Sequence, residues 1–177
     1  MSRARGSVPV VSALVLCALV LTAAAASAQA RAPAAPVVGV FGKTTVGGSK
    51  DSGIFANYKI VNGATLTVAA SVSKLSVYAI PGINSPNPQV LRAVIYSDSG
   101  GSPGALVATG TEVTYRGNVN GSGWFDLPFG SRVALSPGTY WLGFITGASN
   151  EGMGYVFDRA ANSRAYNANT YTTGPTM

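Results

Sequence analysis

Histidine is absent from all 177 residues, and cysteine occurs once, at Cys17. Without histidine there is no imidazole base for a catalytic triad and no imidazole metal ligand. Charge is scarce, at 10% of the chain, and only six residues are acidic. The candidates for acid–base work are therefore few: Asp51, Asp98, Glu112, Asp126, Glu151 and Asp158. No G-x-S-x-G phrase raises a serine to a nucleophile, and Gly42-Lys43-Thr44 lacks the upstream glycine of a phosphate loop. Basic residues outnumber acidic ones for a formal charge of +6, yet they form no run or stripe. Nucleic-acid binding needs a clustered basic footprint, so it is excluded from the expected functions.

The N-terminus reads as an export signal. Arg3 and Arg5 precede an apolar run from Val8 to Ala26, and Ala26-Ser27-Ala28 supplies the small-x-small cleavage pattern, with Ala28-Gln29-Ala30 as a second site. A membrane anchor is the competing reading, because the run has about the minimum length to span a bilayer. Cleavage after Ala28 is expected, giving a signal peptide over 1–28, a secreted protein and no membrane partner afterwards. Cys17 leaves with the signal. The mature chain then has no thiol, no zinc–thiolate site and no disulfide framework, and must be stable through burial alone.

Gln29 to Pro36 is rich in Ala and Pro and reads as a linker. One domain is expected over 37–177. Short runs of Val, Ile, Thr, Tyr and Leu alternate with Gly, Asn, Ser and Pro, and apolar positions recur with period two. That pattern means strands and turns. Strands are expected at Tyr58–Val61, Ala64–Val68, Val72–Ile80, Val90–Tyr96, Ala105–Tyr115, Trp124–Phe129, Arg132–Leu135, Thr139–Thr146 and Gly154–Asp158. Asn62-Gly63 reads as a tight hairpin turn and Asn120-Gly121 as part of a longer one. Strands this short and evenly spaced point to an all-β fold, an antiparallel β-sandwich.

The phrases LSVY (Leu75–Tyr78), RAVIYSD (Arg92–Asp98), GSPGALVA (Gly101–Ala108), GWFDLPF (Gly123–Phe129) and LSPGTYWLGF (Leu135–Phe144) carry a resemblance. They look like secreted bacterial jelly-roll modules, similar to the carbohydrate-binding accessory domains at the ends of extracellular carbohydrate-active enzymes. The resemblance covers about Phe41 to Tyr171. It implies a jelly-roll-type sandwich and a binding or spacer role, with no catalytic residue to carry over. Such modules usually run on past a NANTY-type phrase, here Asn167–Tyr171, so the final strand is expected to be missing.

Alternation assigns faces. Leu75, Val77 and Ala79 oppose Lys74, Ser76 and Tyr78; Leu91, Ala93 and Ile95 oppose Arg92, Val94 and Tyr96; Phe125, Leu127 and Phe129 oppose Trp124 and Asp126. Thr139–Thr146 is apolar on both faces, which places Trp141 in a core. A ligand surface is expected from Tyr78, Arg92, Tyr96, Trp124 and Asp126: aromatic rings suit the C–H face of a pyranose, and charged groups suit its hydroxyls. No cofactor and no metal site are expected, since no D-x-D-x-D-G phrase exists and Asp51 and Asp98 are single acids in loops. The leading expectation is a non-catalytic extracellular module that binds cell-wall or polysaccharide glycans. A spacer or adhesion module without a small ligand is the alternative. A small glycan-cleaving enzyme is the third reading, and it would need the pair Asp126 and Asp158 to face one another across a cleft.

Overall fold

The computed structural model describes residues 39–148, 151–159, 164–168 and 171. The export signal and the Ala/Pro-rich linker lie outside the described residues, as does the segment beyond Tyr171. Among the described residues, ten strands and one helical turn follow in chain order: β1 (Ser49–Asp51), β2 (Tyr58–Leu66), β3 (Ala70–Pro81), β4 (Gln89–Asp98), β5 (Pro103–Thr109), β6 (Val113–Tyr115), α1 (Gly117–Asn120), β7 (Gly123–Leu135), β8 (Gly138–Thr146), β9 (Met153–Phe157) and β10 (Arg164–Ala168).

Among the described residues these strands form an antiparallel two-sheet sandwich. The four-stranded sheet has the order β1-β9-β3-β7, and the six-stranded sheet has the order β10-β2-β8-β4-β5, with β6 also paired to β4. The expected all-β sandwich is what forms. The period-two pattern explains why: one face of each strand is apolar and must meet another apolar face. Leu75, Val77 and Ala79 of β3 and Phe125, Leu127 and Phe129 of β7 meet Ile60, Leu91, Ala93, Ile95 and Phe144 of the other sheet in one core. Two edge-to-face aromatic pairs bridge the layers. Phe144 meets Tyr155 at 5.9 Å and Tyr115 meets Phe125 at 5.3 Å between ring centroids. Each such pair adds about 0.5–1.5 kcal/mol beyond the area it buries.

Part of the outer face of the six-stranded sheet is also buried. Val61, Val94, Tyr96, Trp141 and Ile145 form a second cluster, against which Ala165 and Tyr171 pack. Trp141, expected in a core, is 4% exposed, and its indole N–H donates to Asp98 at 2.8 Å.

Local readings differ from the structure in several places. Asn62-Gly63 is no hairpin turn. β2 runs straight through it, paired to β8 over Lys59–Leu66 and to β10 over Tyr58–Asn62. Two ladders of backbone hydrogen bonds outweigh the turn preference of one dipeptide. Asn120-Gly121 lies in a connection that leaves the six-stranded sheet at β6 and enters the four-stranded sheet at β7, so it closes no hairpin. The expected strand Ala105–Tyr115 breaks after Thr109, where the Gly110 N–H turns to the Ala93 carbonyl and the Thr111 N–H to the Pro128 carbonyl. β7 joins the two segments expected over Trp124–Leu135 into one strand. β1 and β10 were too short and too polar to read by periodicity.

Candidate functional site on the outer face of the four-stranded sheet

The β3–β7 register sets Tyr78 opposite Trp124 and Ser76 opposite Asp126. Their core-facing neighbours Val77 and Phe125 are apolar, so the pleat turns these four side chains outward. Lys74, one step further along β3, points the same way. Five residues from two adjacent strands thus share one open surface.

Trp124 is 47% exposed, and the Tyr78 ring meets it edge-on, with 5.7 Å between centroids and 89° between planes. Beside this pair, Asp126 accepts from the Ser76 hydroxyl at 2.6 Å and from the Lys74 ammonium at 2.5 Å. The Lys74 hydrogen bond, aided by that of Ser76, holds the Asp126 carboxyl below the usual carboxylate range. The exposed ion pair itself adds little stability. Its effect is positional: it fixes a carboxylate, a hydroxyl and an ammonium in a row next to an indole.

The expected five-residue surface does not assemble. Tyr78, Trp124 and Asp126 come together, but Arg92 and Tyr96 lie on β4 in the other sheet. Tyr96 is 0% exposed within the second apolar cluster, and desolvation pushes its phenol well above the ordinary value. Arg92 is engaged with the C-terminal segment. Its guanidinium lies 4.3 Å from the centroid of the Tyr171 ring and donates to the Tyr171 carbonyl. Alternation assigned both residues correctly to the face away from the core. It could not tell which of two sheets that face belonged to. Ser76 and Lys74 were missed as site members for the converse reason: only the β3–β7 register brings them to Asp126.

The two acids named for a cleaving enzyme hold separate partners. Asp126 serves Lys74 and Ser76, whereas Asp158 pairs with Lys43 and accepts from the Gly48 N–H at 2.9 Å. Asp51 and Asp98 each accept a backbone N–H from their own loop. Among the described residues no group of three or more acids gathers as it would around a metal ion.

A comparison with protein-family models, curated proteins and solved structures finds no significant match. The residues of this face therefore carry the functional argument alone.

Proposed function

We propose that the chain is an exported, non-catalytic, jelly-roll-type module that binds glycans of a cell wall or polysaccharide through the outer face of the four-stranded sheet. One observation carries this reading: an exposed Trp124, met by the half-buried Tyr78, stands beside a fixed Asp126–Ser76–Lys74 row. A pyranose presents an apolar C–H face, which stacks on an aromatic ring. Its hydroxyls need donors and acceptors at the ring edge, and the polar row supplies both, with charged groups that make the stronger hydrogen bonds. The surface is open, which suits an extended polymer better than a small molecule that must be enclosed.

The test is a glycan array with the secreted protein, followed by affinity electrophoresis in the retained polysaccharide. Trp124→Ala is expected to weaken retention by about fivefold or more, the worth of a stacked aromatic contact near 1 kcal/mol. Its unfolding midpoint should stay within a few degrees of the parent because the ring is half exposed. Retention unchanged by Trp124→Ala, or no glycan retained at all, would overturn the reading.

A further inference from the structure

β1 and β10 end the two sheets on the edge remote from β7. Between them lies an open groove of about 470 Å³, lined in part by Lys50, Asp51, Phe157, Asp158, Arg159 and Arg164. Arg164 is the centre of this edge. Its guanidinium sits 4.5 Å from the Phe157 ring centroid, 5.2 Å from that of Tyr166 and 5.4 Å from that of Tyr155, and it donates to the Tyr155 hydroxyl. Aromatic faces on several sides hold a guanidinium in place without neutralising it.

The charges of the groove are unequally matched. Asp158 is taken by Lys43 and the Gly48 N–H, and Asp51 accepts from the Gly53 N–H at 3.3 Å. Among the described residues, Lys50, Arg159 and Arg164 have no carboxylate within ion-pair distance. Arg159 makes one long hydrogen bond, 3.4 Å to the Ser49 hydroxyl, and lies 5.7 Å from the Phe157 ring centroid, and the buried Arg164 Nε has no hydrogen-bond partner. Arg164 and Arg159 thus face a space bounded by the Phe157 ring, with Asp158 paired to Lys43, and Lys50 of β1, in register with Val156 of β9, borders it.

We propose that this groove is an oxyanion site that takes the carboxylate or phosphate group of an acidic polymer. Arg164 and Arg159 offer guanidinium N–H donors, whose fork matches both oxyanions, and Lys50 at the border of the groove adds to its positive potential. Phe157 gives the adjoining carbon skeleton an apolar wall. The site is separate from the Trp124 face and does not depend on it.

The experiment titrates the secreted protein with trigalacturonate, inorganic phosphate and neutral maltotriose by calorimetry, in parent, Lys50→Ala/Arg159→Ala and Trp124→Ala forms. Lys50 and Arg159 are exposed, so the double variant keeps the fold. Trigalacturonate or phosphate should bind the parent, and the double variant should bind about tenfold more weakly or worse, as expected for a lost charge-assisted contact. Binding should also collapse between about 0.01 M and about 1 M salt, as the screening length falls from about 30 to about 3 Å. A response to trigalacturonate alone names a sugar acid as the ligand, and a response to phosphate identifies a phosphate group; either supports the site. If neither anion binds, if the double variant binds as the parent does, or if maltotriose binds equally well, the site is refuted. Anion binding lost only in Trp124→Ala would move it to the sheet face and refute the groove alone.

Discussion

Replacing Gly63 by alanine separates two descriptions of the same dipeptide. A tight Asn-Gly hairpin turn would hold Gly63 at positive φ, and alanine there would cost about 1–2 kcal/mol. In the structure Gly63 lies mid-strand in β2, in register with Trp141. A Cβ added to it would rest 3.8 Å from the indole ring, an ordinary van der Waals contact. Alanine should therefore stabilise by about 0.5–1 kcal/mol, because it restricts the unfolded chain without strain in the folded one. Two residues along the same face of the neighbouring β8, Gly143 gives the opposite outcome. It pairs with Val61 on one side and Val94 on the other. A Cβ there would fall 1.9 Å from the Ile60 carbonyl oxygen and 2.7 Å from the Val61 Cα. Backbone atoms cannot rotate away, so the β2–β8 ladder must part. The expected cost is about 3 kcal/mol or more, the upper end of overpacking penalties. At about 3 °C per kcal/mol for a domain of this size, Gly143→Ala should lower Tm by about 10 °C, while Gly63→Ala raises it by about 2 °C. Thermal unfolding followed by far-UV circular dichroism reads both. A Gly63→Ala variant that loses several degrees beside a tolerated Gly143→Ala would refute the pairing of β2 with β8.

Leu127 is 1% exposed between the sheets, so Leu127→Ala should cost about 2–5 kcal/mol, read as a lower urea midpoint with an unchanged slope. Acid stability should depend on Asp98, Asp126 and Asp158. The Trp141 indole N–H, the Lys74 ammonium and the Lys43 ammonium, respectively, are the main causes that hold their carboxyls below the usual range. A depressed folded-state value adds stability that is complete above the ordinary carboxyl range of about 4 and is lost as pH falls through the folded value. Asp98→Asn keeps an acceptor for the indole but removes one titration, so its Tm should fall less steeply than the parent's between about pH 4 and pH 2. Parallel Tm-versus-pH curves for the two proteins would contradict that linkage.

The amino-acid order by itself determined the layer class and the inner faces. Leu75, Val77, Ala79, Leu91, Ala93, Ile95, Phe125, Leu127 and Phe129 all face the common core, because side chains alternate across a strand whatever its partner. The same alternation turned Tyr78, Trp124 and Asp126 outward, and the double apolar character of Thr139–Thr146 marked β8 as buried on both faces. Only the tertiary structure decided which outward residues meet. Tyr78 reaches Trp124, and Ser76 and Lys74 reach Asp126, through the β3–β7 register. Tyr96 and Arg92, with the same alternation, belong to the other sheet, where a second apolar cluster and Tyr171 cover them. Arg164 gained its aromatic surround only when β10 docked beside β2 and faced β9 across the sandwich edge. The physical reason is one of range. A strand's two faces are set by bonds one residue apart, whereas its neighbours are set by hydrogen-bond ladders between segments tens of residues apart, and every edge offers the same backbone donors and acceptors. Asn62-Gly63 shows that range difference at a single site: its local preference is for a turn, and two distant strands hold it straight.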